Sequence, residues 1–450
     1  MAAFRSLSPG LRALQPEAFG ADPSGERLAR IRRSPHFKDG VFQNPGGIGA
    51  RIRPSGTGLD FAKAFFDKET RPRRSPSGPV PVHPTTLADL ARPPATGLRL
   101  TWMGHSSVLA EIDGHRVLFD PVWGERCSPV PFAGPKRLHP APLPLAALGP
   151  VDVVVISHDH YDHLDLPTIK ALAGTDTLFA VPLGVGAHLE HWGVSADRLR
   201  ELDWHEATRV GGLTLTATPA RHFCGRGLRN TQHTLWASWS VAGDEHRIFH
   251  SGDTGYFDGF KDIGAEYGPF DATMIQIGAY SDLWPDIHMT PEEGLRAHLD
   301  LQGGPSGAIL PIHWATFNLA THAWSTRGRA PWPPRARPAP GSRCPAPASP
   351  SSRPPRPCRR SRGGVAWRSL RRAGGPKCCR KPRPWSIRCV TFRGMRPRVG
   401  TPRRPSRRAS GAPVPDLTAR RRGANSSPTP VVRFRASLTR SDRLPHLNCP

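Results

Sequence analysis

The chain has 450 residues and a formal net charge of +26, a balance that taken whole points to a nucleic-acid partner. The charge is uneven: residues 326–450 hold 32 Lys and Arg against 2 Asp and Glu, whereas residues 1–325 hold 30 basic and 34 acidic residues. Over 1–325 this excludes a basic binding domain, and with only Cys127 and Cys224 there it also excludes a disulfide framework, which fits a reducing compartment.

Residues 1–97 are rich in Gly, Pro and Arg and are expected to form an irregular arm with short elements and one helix over 58–69. Their first stretch, MAAFRSLSPGLRALQPEAFG, lacks a continuous apolar run, so a secretory signal is not expected. No run in the chain reaches the roughly 18 apolar residues of a membrane span. A cytoplasmic protein is expected, with peripheral membrane contact and a homodimer left open.

Regular structure is expected from Leu98. LRLTWMGHSSVLAEIDGHRVLFDP alternates apolar and polar residues and turns at Asp113-Gly114, a hairpin signal. VDVVVIS, 151–157, is a β-branched run suited to a buried strand, and DLPTIKALA, 165–173, follows as a helix. TLFAVP, LTLTATPA, TLWASWSVAG, HRIFHSGD and ATMIQIG predict further strands. TPEEGLRAHLDL, 290–301, predicts a helix capped by Thr290 with an acidic first turn, and GAILPIHW predicts a strand ending at His313. Strands alternating with helices, but with frequent hairpins, predict a layered α/β architecture without an internal repeat.

Between the strand at 151–157 and its helix lies SHDHYDHLD. His158, His160, Asp162 and His163 follow the pattern H-x-H-x-D-H. Ligands two apart in extended chain point to one side, so His158 and His160 can hold one ion, while Asp162 and His163 can face a second. Imidazole and carboxylate suit zinc, with manganese or iron as alternatives. The competing reading is a solvated polar loop. Against it stand three residues that each follow a predicted strand: His222, Asp253 and His313. Strand ends on one sheet edge converge in space, and Asp253 is suited to bridge two ions. Cys224 is a candidate soft ligand or, more simply, a packed residue, and Trp192, Trp236, Trp239 and Trp284 are expected to pack.

With these residues the sequence resembles the metallo-β-lactamase superfamily of hydrolases. TWMGHSSVLAEIDG, FDPVWGERCSPVPFAGPKRLHPAP, SHDHYDHLD, ARHFCGRG, HSGDTGYF, HMTPEEGLRAHLDL and LPIHWATFNLATHAW resemble its N-acylphosphatidylethanolamine-hydrolysing phospholipase D branch, in order, over roughly 35–325. The resemblance implies a four-layered αβ/βα sandwich and two zinc ions. It implies that His158, His160 and His222 hold one, that Asp162, His163 and His313 hold the other, and that Asp253 bridges them. Catalysis would use a hydroxide shared by the ions, with Asp253 and His288 as catalytic residues. His288 lies either near the reacting group or in a structural cap. A phosphodiester, such as a phospholipid headgroup linkage, is the implied substrate, with a lactone or sugar phosphate as alternatives. GERCSPVPFAG and SDLWPDIHM are candidates for an apolar entry surface.

Past Trp324 the composition changes. Residues 326–450 hold 6 of the 8 cysteines, 23 of the 52 prolines, a single histidine (His446) and no Glu. An arginine-rich arm would make this a nucleic-acid-binding protein or a nuclease. Thirty arginines against two lysines, and a resemblance that stops after THAWS, favour a disordered frameshift product from about Thr326. Nucleic acid is then not an expected partner, and the domain at 98–325 would lack its last helix and strand.

Overall fold

The computed structural model describes residues 16–47, 67–69, 71–227 and 230–324. The helix expected over 58–69 falls outside them except for 67–69, which form no helix. The tail, and the final helix and strand missing from the resemblance, also lie outside the described residues.

Helix α1 (Gly25–Arg33) and a short hairpin of β1 (Phe37–Lys38) and β2 (Val41–Phe42) come first, then α2 (Leu87–Ala91) behind a Thr86–Asp89 capping box. The first large sheet follows: β3 (Leu98–Gly104), β4 (Ser107–Ile112), β5 (His115–Phe119), β6 (Val153–Val155), β7 (Leu178–Pro182) and β8 (Leu199–Leu202), in that spatial order. The first three run antiparallel and the last three extend the sheet in parallel. The β4–β5 turn is the one legible in the sequence. Asp113 and Gly114 both take positive φ, 48° and 85°, as a two-residue primed turn requires. Helices α3 (Leu166–Ala173) and α4 (Gly186–His191) make the parallel crossovers.

The second sheet repeats this plan without repeating the sequence. β9 (Ala207–Val210), β10 (Leu213–Thr218), β11 (Ser238–Ala242) and β12 (Arg247–His250) are antiparallel. β13 (Ala272–Gln276) and β14 (Ala308–Ile312) then add in parallel through α5 (Gly259–Tyr267) and α6 (Pro291–Gln302).

Alternation along the strands creates the layers. Val108, Ala110, Val153 and Val155 face an inter-sheet core shared with Leu215, Trp239, Ile248 and Met274. Leu109, Leu118 and Val154 face the other way, onto Ile169 and Leu172 of α3 and Leu189 of α4. Phe249 and Ile275 pack outward onto Phe260 and Ile263 of α5 and Ala297 and Leu301 of α6. The result is the four-layered αβ/βα sandwich that the resemblance implies. It explains why the strand Val153–Val155 is all valine: a strand covered on both faces buries every side chain, at roughly 1.5–3 kcal/mol for each valine.

The sequence pattern did not predict β8, β9, α1, α4 or α5. In β8, Arg200 and Glu201 interrupt the apolar signal. Glu201 is accounted for only in three dimensions, since it accepts from Arg27 of α1 at 2.6 Å and from the Gly184 amide at 2.8 Å. The expected arm does carry short elements over 16–47, but Ile31 and Phe42 enter the inter-sheet core. Among the described residues no helix is long and apolar enough to cross a membrane.

Candidate metal centre

β6 ends at Val155, and the chain then runs through Ser157 into His158–His163 before Asp165 caps α3 by accepting from the Thr168 amide. Within this loop, sides alternate. His158 and His160 turn toward each other, with His158 Nε2 2.9 Å from His160 Nδ1. Asp159 between them turns away to accept from the Gly225 amide at 2.8 Å and the Thr234 hydroxyl at 3.0 Å. His222, after β10, brings its Nε2 to 3.3 Å from the same His160 Nδ1. Its other nitrogen donates to Ile287 O at 3.1 Å, which leaves Nε2 as a lone pair facing the cluster. The backbone of His222 is clamped by Asn44, whose amide donates to His222 O and accepts from His222 N–H, both at 2.9 Å.

Beside this three-histidine half lies a carboxylate half. His313 follows β14 and places Nε2 3.2 Å from Asp162 Oδ2 and 2.8 Å from Asp253 Oδ2. His163 Nε2 lies 3.1 Å from Asp253 Oδ2 and 3.5 Å from Asp162 Oδ2. Asp253 also approaches the first half, 4.0 Å from His222 Nε2. It sits on the loop after β12, where Gly252 is required. At Gly252 φ is 56°, and a Cβ would come within 2.6 Å of Ser157 Cβ.

One carboxylate, Asp120 at the end of β5, orients histidines of both halves. Its Oδ2 accepts from His163 Nδ1 at 2.7 Å and from the Ser157 hydroxyl at 2.7 Å, and that hydroxyl in turn accepts from His158 Nδ1 at 2.9 Å. With both Nδ1 atoms donating, both Nε2 lone pairs point into the cluster, the arrangement that supports metal ligation.

The residues fit divalent ions. Two sets, His158–His160–His222 and His105–Asp162–His163–His313, each bring their ligand atoms within 4.8 Å of one another, and Asp253 belongs to further sets with His158 and His163 and with His222 and His288. Asp253 Oδ1 and His163 Nε2 are buried without a hydrogen-bond partner in the described residues, a costly condition that a cation would relieve.

The electrostatics separate the halves. Burial holds His158 and His222 well below the ordinary histidine value of 6.5 and lowers His160 as well, so these rings stand neutral, the form a metal ligand requires. At His313 burial also acts downward, but the Asp253 and Asp162 carboxylates outweigh it and push the group up to about 9. His163 rises well above its usual value by the same contest with Asp253, Asp162 and Asp120. Burial would raise Asp162 and Asp253, yet the surrounding histidines hold both well below the carboxylate range. In this half the carboxylates favour positive charge on the facing rings, the charge that a bound metal would supply instead.

His288 Nδ1 donates to Ala279 O at 2.8 Å, and Nε2 lies 3.2 Å from Asp253 Oδ2. The cap of α6 belongs instead to Thr290, in a capping box with Glu293. Cys224 is in none of the metal-ligand sets of the described residues. Its thiol donates to Thr234 O at 2.8 Å and it packs in the inter-sheet core. Trp192, Trp236, Trp239 and Trp284 are all buried packing residues. Sequence reasoning missed Asp120, Ser157, Asn44 and His105. Asp120 and His105 stand in the motifs FDP and GHSS, at the end of β5 and in the β3–β4 turn, and their places at strand ends are the sequence signal that marks them.

The "Beta-lactamase superfamily domain" matches residues 115–314. Together with the sandwich and its clustered histidines and aspartates, this defines a metal-dependent hydrolase of the metallo-β-lactamase superfamily. An uncharacterized protein of Mycobacterium tuberculosis is 50% identical over 335 residues, covering 71% of this chain and 86% of the relative. N-acyl-phosphatidylethanolamine-hydrolyzing phospholipase D 1 of Caenorhabditis elegans is 39% identical over 254 residues, 54% of this chain and 70% of the relative. The chain therefore belongs to the N-acylphosphatidylethanolamine-hydrolysing phospholipase D branch of the superfamily. Among solved structures, the isothiocyanate hydrolase from Delia radicum gut bacteria is similar at 21% identity and a TM-score of 0.41, covering 51% of this chain and 89% of that one.

Proposed function

We propose that this chain is a dinuclear zinc phosphodiesterase that cleaves a phospholipid headgroup linkage, as the name of its Caenorhabditis elegans relative describes for that protein. The observation that carries the lipid reading is a continuous apolar wall beside the metal centre. Val122, Cys127, Phe317 and Tyr161 form one small cluster, and Trp284, Ile287, Leu283 and Phe223 belong to another; Leu319 packs against both. The wall touches the candidate ligands directly, with the Phe223 ring centroid 4.6 Å from that of His160 and 4.9 Å from that of His222. Most of this wall is already buried, but Tyr161, Phe223, Leu283 and Leu319 are half-buried, and an acyl chain that covered their remaining apolar area would gain roughly 25 cal/mol per Å² removed from water, which a polar sugar phosphate would not.

His158, His160 and His222 would hold one zinc and Asp162, His163 and His313 the other, with Asp253 shared. Bound there, zinc would supply Lewis acidity and a water acidified towards neutral pH. The chain's own residues do the rest. Asp120 and Ser157 hold the imidazoles in one tautomer. Asp253 keeps a buried negative charge between the halves. His288 is anchored by its Nδ1–H on Ala279 O, which sets Nε2 beside Asp253 and facing the reacting group, where it would accept from a substrate or water O–H and would donate to a substrate oxygen only as the imidazolium. The apolar wall excludes water from one side of the reacting group.

The test is elemental analysis of purified protein together with turnover of N-acylphosphatidylethanolamine in mixed micelles. About two zinc ions per chain and release of phosphatidate are expected. Absence of bound metal, or a preference for a lactone or a sugar phosphate over the lipid, would sink the assignment.

A further inference from the structure

The β3–β4 turn lies outside the matched residues 115–314, yet it carries a histidine into the carboxylate half. We propose that His105 is a positioning residue for the second metal: its Nε2–H holds the Asp162 carboxylate in ligating orientation. This rests on reading Asp162 as a ligand.

His105 Nε2 lies 2.8 Å from Asp162 Oδ2. Its Nδ1 has no hydrogen-bond partner among the described residues, so the contact to Asp162 is the polar bond that orients the ring. Since a carboxylate can only accept, Nε2 carries the proton. Nothing about the ring is loose. It packs against the His313 ring at a centroid distance of 4.1 Å and meets Phe317 edge-on at 5.3 Å. The backbone is held as firmly. His105 N–H donates to the Thr316 hydroxyl at 2.6 Å, and His105 O accepts from Trp102 Nε1 at 2.7 Å and from the His313 amide at 3.0 Å. These bonds keep His105 at φ 53°, a left-handed conformation that is strained for a non-glycine residue and persists only where the surroundings impose it.

Asp162 needs such a partner more than the other ligands do. Its side chain is 13% exposed, against 2% or less for His163, His313 and Asp253. A carboxylate free to rotate would present its oxygen to the ion only part of the time. A fixed donor removes that freedom, and loss of such supporting bonds typically costs about 10–100-fold in metal affinity or activity.

The experiment titrates metal-free, full-length protein with Co²⁺, following the visible bands and activity. The parent is expected to take up two ions. His105→Ala should keep the first ion and bind the second about 10–100-fold more weakly, with kcat recovering at excess metal and KM unchanged. His105→Gln, whose amide can donate from the same reach, should recover most of the affinity. Because His105 is wholly buried, Thr316→Val is a second variant. It removes the Thr316 bond to the His105 amide, one of the three that hold this backbone, without touching a proposed ligand, and should weaken the second ion alone. Parent-like binding of both ions by His105→Ala would overturn the proposal. So would His105→Gln as defective as His105→Ala but equally stable to heat, since the ring itself would then be required. A parent that takes up only one ion would overturn the two-metal reading along with it.

Discussion

The two halves of the metal centre reach the same end, ring nitrogens converging in a buried space, by opposite electrostatics. In the three-histidine half, burial suppresses protonation and the rings stand neutral. In the carboxylate half, Asp162 and Asp253 overcome burial and raise His163 and His313. The first half draws two of its rings from positions two apart in one loop. The second draws on the loop before α3, the loop after β12, the end of β14 and the β3–β4 turn. A site built of neutral rings needs only exclusion of water. A site built on buried carboxylates needs positive charge at all times, supplied by protons when metal is absent.

The largest expected effect is removal of the residue common to both halves. Asp253→Ala should lower turnover by about 10³-fold or more and reduce metal content at both positions, since on the proposed assignment Asp253 would serve both ions. Equal hydrolysis of a model diester by variant and parent would end the comparison altogether. Asp120→Asn is a finer probe. The amide can still accept from the Ser157 N–H, but its NH₂ group cannot accept from His163 Nδ1. The expected loss is about 10–100-fold in metal affinity in the carboxylate half, where the lost bond to His163 is direct, and smaller in the three-histidine half, which it reaches only through the Ser157 hydroxyl. Calorimetric titration that finds the three-histidine half equally weakened would show that the two are not separable.

The smallest effect is on pH dependence, and it distinguishes the halves without mutation. In metal-free protein His158 and His222 have folded values far below 6.5, so as pH falls below 6.5 the unfolded chain binds more protons and stability declines. His313 has the reverse sign. Its folded value of about 9 contributes stability that is complete below 6.5 and is lost as pH rises through 9. Thermal melts of the metal-free protein should therefore peak near pH 6.5 and fall by a few degrees on each side, and saturating zinc should flatten the alkaline arm. A metal-free melting temperature that climbs steadily to pH 9 would contradict the charge assignment at His313.

Much of this fold was legible in advance because its signals are local. Alternation in 98–119, the β-branched run at 151–157, the Asp113-Gly114 turn and the Thr290 capping box each depend on neighbours within a few residues. Strand β8 was not legible, because Glu201 is satisfied by Arg27, far away in the chain. The same distinction runs through the site. His158 and His160 announce themselves by spacing, while His222, Asp253 and His313 were suggested only by their places after strands.

By itself the sequence determined the layered architecture, the family, and the residue types that converge on the metal centre, since periodicity and short-range motifs encode those directly. Only the tertiary structure decided which atoms face the candidate metal centre. That choice depends on hydrogen bonds between residues far apart in sequence: Asp120 to His163, Asn44 to His222, and His105 to Asp162. It also decided that residues 16–47 serve the centre, through Asn44, and that the charge of the two halves differs, because burial and carboxylate neighbours exist only once the chain has folded.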